Sequence, residues 1–215
     1  MTTPAPSSLN DRQIIVGVCA GIAAYKSADL VSKLVQAGAA VTVCMTPDAS
    51  RFVQPLTFQA LSGRPVRKEI FDLTDSSDPQ HIALTERASL LVIAPATAHM
   101  IAKISHGFCD DMISLLASAA SCPILLAPAM NNRMWENPIT QQNIQKLQAI
   151  KNYHFIGPDV GWLACRNQGP GRMADPAAIL VEIEQLLSRT DRSDVAPPGR
   201  IVQPASLAAA RKRSR

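Results

Sequence analysis

Three residues in this sequence have types and settings that could act together on one small molecule. Cys165 closes the run Gly161-Trp162-Leu163-Ala164-Cys165, and Gly169-Pro170-Gly171-Arg172-Met173 follows it. Glycines there flank a thiol and an arginine in a loop too long to be a plain connection. Cys19, Cys44, Cys109 and Cys122 fall in or beside apolar elements and read as core. Cys165 is therefore the thiol expected to react, with a plain loop cysteine as the alternative. His81 stands at an expected helix start, where the helix dipole disfavours imidazolium and leaves a neutral base. A lone histidine is more often a surface residue, and pattern does not set His81 above His99, His106 or His154. Asn131 follows an expected strand, where its amide either orients a ligand or caps the next helix.

Segments that could hold a ligand recur at strand ends. The first strand-to-helix turn, Gly17-Val18-Cys19-Ala20-Gly21, puts a glycine where backbone can approach a phosphate at a helix N-terminus. A tight turn that simply needs glycine explains it equally well. Thr46 begins the second helical piece at the same sheet edge and is either a ligand contact or an N-cap. The third strand ends in Ala94-Pro95-Ala96-Thr97 and the fourth in Ala127-Pro128-Ala129-Met130-Asn131. Their near-identity at equivalent places, where open α/β sheets bind ligands, favours a flat ring lying against backbone.

These segments need a scaffold, and the apolar pattern predicts one. Strands are expected at Gln13–Cys19, Ala40–Met45, Ser89–Ala94, Cys122–Ala127 and Tyr153–Ile156. Helices are expected at Gly21–Ala37, Thr46–Phe52, Leu56–Leu61, His81–Arg87, Thr97–His106, Asp110–Ala120, Asn132–Ile150 with a break at Asn137-Pro138, and Pro176–Leu187. Arg64–Gln80 reads as mostly loop. Gly157–Asp175, with four Gly and two Pro, reads as one long irregular loop. The strands are apolar without alternation, as when both faces are covered. The expected fold is α/β, a single domain with a three-layer Rossmann- or flavodoxin-like parallel sheet and helices on both faces.

Composition narrows the function classes. With 215 residues, 47% apolar and 18% charged, the chain suits one domain with a sizeable core rather than a disordered polymer. The longest apolar runs are short, such as Ile124–Met130, far from the ~20 residues of a membrane-spanning helix. MTTPAPSSLN has neither the basic start nor the apolar stretch of a secretory signal, so a cytoplasmic protein is expected. Net charge is +4. Residues 189–215 hold seven Lys/Arg against two Asp, a surplus of five that leaves the other 188 residues at −1. The basic balance thus belongs to the end of the chain and not to a nucleic-acid-binding face. Five cysteines at irregular spacing without a CxxC pair argue against structural zinc and a disulfide framework, and no metal is expected. Residues 1–11 are expected to be flexible, 12–188 to form the domain, and 189–215 to be a disordered, Pro-containing basic tail.

GIAAYKSADL (21–30), TPDASRFVQPLTFQALSG (46–63), His81, APATAHMIAKISHG (94–107), PAMNNRMW (128–135) and LACRNQGPGRMADP (163–176) occur in this order. Together they resemble the homo-oligomeric flavin-containing cysteine decarboxylases, in particular the branch acting on 4'-phosphopantothenoylcysteine. The resemblance covers about residues 12–188. It implies an FMN-dependent, redox-neutral carboxy-lyase that makes 4'-phosphopantetheine in coenzyme A biosynthesis. The substrate thiol is oxidised towards a thioaldehyde, CO₂ leaves to give an enethiol, and the electrons return with a proton. By the same resemblance His81 assists oxidation and decarboxylation, and Cys165 donates the late proton. Asn131, Met134 and Arg172 meet the substrate. Gly21, Ile22, Thr46, Phe52, Ala96 and Thr97 meet the cofactor. A homotrimer, or a dodecamer of trimers, is implied.

The sequence departs from the family in three places. Cys19-Ala20-Gly21 stands where Thr or Ser with Gly or Ser is frequent, and a hydroxyl contact to phosphate would be lost with it. Arg166 follows the active cysteine where Gly is common. The ligase half that follows in bifunctional members is not in this sequence: the expectation is either a stand-alone decarboxylase, with a separate phosphopantothenate–cysteine ligase as its partner, or a gene that has lost its partner domain. Three other readings remain. They are a peptidyl-cysteine decarboxylase with the same catalytic residues, a flavin prenyltransferase-like enzyme, and a non-catalytic FMN-binding regulator. PAMNxxMW and Cys165 speak against the second, and the joint presence of His81, Asn131 and Cys165 against the third.

Overall fold

The computed structural model describes residues 9–70 and 80–192. Five strands form one parallel sheet: β1 (Gln13–Val18), β2 (Ala40–Met45), β3 (Leu90–Ala96), β4 (Ile124–Pro128) and β5 (Tyr153–Phe155), in the order β2-β1-β3-β4-β5. The connecting helices are α1 (Ala24–Gln36), α2 (Pro55–Ser62), α3 (Gln80–Arg87), α4 (Ala98–His106), α5 (Met112–Ala119), α6 (Asn132–Trp135), α7 (Pro138–Gln148) and α8 (Pro176–Arg192). The order is that of the flavodoxin-like doubly wound fold, as expected.

Two apolar layers explain the unbroken apolar strands. In β1, Ile14, Val16 and Val18 enter one core and Ile15 the other; β3 and β4 divide in the same way. The first core takes Leu30, Val31 and Leu34 of α1, Phe58 of α2, and Ile179, Ile183, Leu186 and Leu187 of α8. The second takes Met100 and Ile101 of α4, Ile113 and Leu116 of α5, and Ile144 and Leu147 of α7. The buried positions of α1 and α8 recur every three or four residues, one stripe of a 3.6-residue helix. Ser27 is buried within that stripe, and its hydroxyl is satisfied by donating to the Ala94 carbonyl at 2.6 Å. Asp111 starts α5 with a capping box, accepting from the Ile113 and Ser114 amides at 3.0 Å each.

The structure corrects several boundaries. Gly157–Asp175 is not an irregular loop: β6 (Asp159–Trp162) and β7 (Gln168–Arg172) pair antiparallel. Gly and Pro make up much of β7, so it carries no alternation to read, and its partners alone make it a strand. Residues 9–11 belong to the body, because Leu9 is fully buried and the Asp11 amide bonds the Gly38 carbonyl at 3.2 Å. α8 runs on to Arg192, four residues beyond the expected domain end. Residues 1–8, 71–79 and 193–215, where the rest of the expected flexible ends and the Arg64–Gln80 loop fall, lie outside the described residues. Cys109 is exposed and not core, since it sits in the α4–α5 turn rather than in either element. Among the described residues no helix is long and apolar enough to cross a membrane.

Candidate active site

The sheet order reverses between β1 and β3, and their C-terminal ends open a crevice there. A cavity of about 1250 Å³ occupies it. That exceeds the roughly 300–1,000 Å³ of most single-ligand pockets and leaves room for two molecules side by side. Gly21, Ile22, Thr46 and Thr97 line it from the strand ends. Asn131 and Met134 reach it from α6, and Cys165 and Arg172 from the hairpin. Eight of the residues singled out in the sequence thus meet at one place, though they lie between 21 and 172 in the chain.

The polar atoms at this crevice are left ready for a ligand. Thr46 precedes a short 3₁₀ turn, yet its side chain makes no cap bond, and its Oγ1 is buried with no hydrogen-bond partner among the described residues. A buried hydroxyl without a partner costs about 1–3 kcal/mol, so this one is set to be satisfied by something else. Thr97 caps α4 by accepting from the Met100 amide at 3.2 Å. Gly21 has ordinary φ, and a Cβ there would meet only Thr97 Cγ2, at 3.9 Å. The backbone therefore does not require glycine, and the missing side chain leaves cavity wall bare. Cys19 lies beside Thr97, and burial pushes its thiol up to about 12, so it stays protonated.

Asn131 does cap α6, its Oδ1 accepting from the Arg133 amide at 2.8 Å. Only the oxygen is used, and the Nδ2 donors remain for an acceptor in the cavity. Cys165 is exposed in the turn between β6 and β7. That turn is closed by Leu163 N–H to Asn167 O at 2.8 Å and Arg166 N–H to Leu163 O at 2.9 Å. Arg166 has φ of 62°, a left-handed conformation that glycine adopts without cost. The hairpin is pinned where it meets α6. The Met130 amide donates to Gly171 O at 2.9 Å, and Gly171 has φ of 137°. Any Cβ there would collide with the Met130 carbonyl, so this contact needs glycine.

Three expected site residues are not on the cavity wall. Ala96 is fully buried in β3, with its carbonyl bonded to the Ala129 amide, while its neighbours Pro95 and Thr97 line the cavity. Phe52 is half-exposed at the end of the 3₁₀ turn. His81 lies on α3, its carbonyl accepting from Thr85 Oγ1 at 2.9 Å, and it is not among the residues that line the cavity. Sequence reasoning missed Lys26, Lys103, Asp111 and Trp162, which do line it. Lys103 bridges Asp110 and Asp111 at 2.9 and 2.7 Å. Asp111 was signalled by its spacing of three from Ser114; Lys26 and Lys103 read as ordinary surface positions of amphipathic helices.

A family model described as flavoprotein matches residues 2–188. The coenzyme A biosynthesis bifunctional protein CoaBC of Vibrio cholerae is 42% identical over 181 residues, 84% of this chain and 45% of that protein. Its counterpart in Bacillus subtilis is 45% identical over 172 residues, 80% of this chain and 42% of that protein. The chain thus spans less than half the length of these relatives. Among solved structures, a cysteine-to-serine mutant of PPC decarboxylase complexed with pantothenoylaminoethenethiol superposes with a TM-score of 0.76 at 25% identity, covering 83% of this chain and all of that one. The FMN-dependent cysteine decarboxylase SpaF superposes with a TM-score of 0.73 at 27% identity, over 86% of this chain and 99% of its own.

Proposed function

The chain belongs to the flavoprotein family, and on that premise we propose that it is an FMN-dependent decarboxylase converting 4'-phosphopantothenoylcysteine to 4'-phosphopantetheine. The observation that carries this reading is the single cavity joining Thr46 and Gly21 at the sheet edge to Asn131 and Cys165. The residues present fit FMN: the unpartnered Thr46 hydroxyl and the bare wall at Gly21 suit a phosphorylated, flat cofactor, with Ile22 and Thr97 beside it. When bound, FMN would supply the reversible two-electron chemistry that a redox-neutral oxidation and decarboxylation of the substrate's thiol-bearing carbon needs.

The protein's own groups supply binding and proton transfer. Asn131 Nδ2 donates to the substrate carboxylate and fixes its orientation until CO₂ departs. Met134 and Trp162 cover the reacting end and limit water. Cys165 Sγ, carried over the cavity by the hairpin, gives its proton to the enethiolate carbon. His81 takes the substrate thiol's proton in the first half. His81 is not among the residues that line the cavity, and in this reading it reaches a bound substrate from a second copy, in keeping with a homotrimer or a dodecamer of trimers. Exposed Ile22, Tyr25, Phe52 and Leu56 supply apolar surface for such an assembly. A phosphopantothenate–cysteine ligase activity supplies the substrate, in the cytoplasm.

The reading is tested by loading the purified protein with FMN and offering two substrates, 4'-phosphopantothenoylcysteine and a peptide ending in cysteine. Decarboxylation of the first and not of the second is expected. The reverse preference makes the protein a peptidyl-cysteine decarboxylase, and a protein that takes up no FMN is neither.

A further inference from the structure

Two cations, Lys26 and Arg172, line the cavity at the base of the hairpin. Lys26 projects from the first turn of α1, and its Nζ donates to the Met173 carbonyl at 2.9 Å. An ammonium has three donors, so two remain. Arg172 ends β7. A Cβ on Gly161 would stand 3.2 Å from Arg172 Cδ and 3.4 Å from its Nη1. The arginine side chain therefore lies across bare backbone of β6, and a side chain at 161 would push it aside. Among the described residues neither cation has a carboxylate within ion-pair distance. Lys103, the third cation of the cavity, differs: two aspartates neutralise it. Burial lowers the Lys26 pKa and the Arg172 charge lowers it further, while Asp175 and Asp159 act more weakly in the opposite sense. Like charges held beside one partly desolvated cavity are stabilised when an anion joins them.

We infer that Lys26 and Arg172 form a seat for a phosphate monoester, the end of the substrate remote from its cysteine. The inference rests on the decarboxylase reading and adds the feature that selects the substrate. A dianion matches two full positive charges, one a planar fork and one a point charge. The substrate carboxylate is served separately, by the neutral Asn131 amide, where a strong cation would hold CO₂'s precursor too tightly. Because Lys26 already ties α1 to the hairpin's exit at Met173, an anion at this seat also draws together the two elements that frame Cys165.

The test is a ratio: kcat/KM of the FMN-loaded protein for 4'-phosphopantothenoylcysteine over that for the dephosphorylated pantothenoylcysteine. The wild type is expected to prefer the phosphorylated form by about 10- to 100-fold, the range of a charged hydrogen bond or two. Lys26→Gln and Arg172→Gln are each expected to bring that ratio to within about 3-fold of one, whatever they do to the absolute rates. Lys26→Arg should keep most of it, and Gly161→Ala, which leaves both charges but displaces the guanidinium, should lower it in part. A wild-type ratio near one, or a ratio unchanged in both Gln variants, overturns the seat and leaves the decarboxylase reading standing. No CO₂ from either substrate overturns that reading and the seat with it.

Discussion

Cys165 and His81 divide the proposed reaction between them, and single substitutions should separate the halves. In Cys165→Ser the late proton donor becomes an alcohol, a far weaker acid than a thiol. The FMN-loaded variant should still release CO₂ once and then stop, with the flavin reduced and an oxidised enethiol product accumulating. His81→Asn should do neither while keeping its flavin. Absorbance of the flavin and CO₂ yield follow both; normal turnover in either variant contradicts the assignment. Thr46 offers a test with opposite signs. Thr46→Val removes a buried hydroxyl that has no partner, so the flavin-free protein should melt at the same temperature or higher. FMN should bind about 10- to 100-fold more weakly, the loss of one hydrogen bond to a charged group. Equal FMN affinity would place the phosphate elsewhere. At this scale residue type and motif were legible, because strand ends in a doubly wound sheet must converge. The lysines were not: Lys26 and Lys103 look like the polar face of any helix until the fold places them on the cavity wall.

The hairpin is the element on which the site depends most, and it was the least legible one. β6 and β7 carry no apolar alternation because their stability comes from contacts made elsewhere: Gly171 against Met130, Gly169 against Asn132, and Lys26 on Met173. Glycines that read as loop signals are contact points where no side chain fits. Gly171→Ala should therefore do more than stiffen a turn. A left-side φ costs a non-glycine residue on the order of 1–3 kcal/mol, before the collision with the Met130 carbonyl. At about 2–4 °C per kcal/mol the melting temperature should fall by several degrees, and decarboxylation should fall further as Cys165 loses its place. Calorimetry beside the CO₂ assay checks this, and an unchanged activity would show that the hairpin's seating does not matter. The sheet and its flanking helices, by contrast, were readable to within a few residues, since period and length both follow from burial on two faces. Arg166 in its left-handed turn is the one place where the hairpin keeps a side chain that its backbone conformation does not favour.

At the scale of the whole molecule, one chain gathers Cys165, Asn131 and the proposed flavin contacts at one cavity, and His81 is not among the residues that line it. Assembly is what the account requires to bring the two together, and no pattern within a single sequence reports a contact between copies. Mixing His81→Asn with Cys165→Ser under subunit exchange should regain activity, because some sites then pair an intact histidine with an intact cysteine. Two inactive variants that stay inactive when mixed would place both residues in one chain's site. The central claim is the reaction itself. The most direct measurement is CO₂ released, together with 4'-phosphopantetheine formed, when the FMN-loaded protein is given 4'-phosphopantothenoylcysteine without any external electron donor or acceptor. One CO₂ per product is expected over many turnovers, with the flavin oxidised at the end. A yellow, correctly assembled protein that releases no CO₂ from this substrate would contradict it.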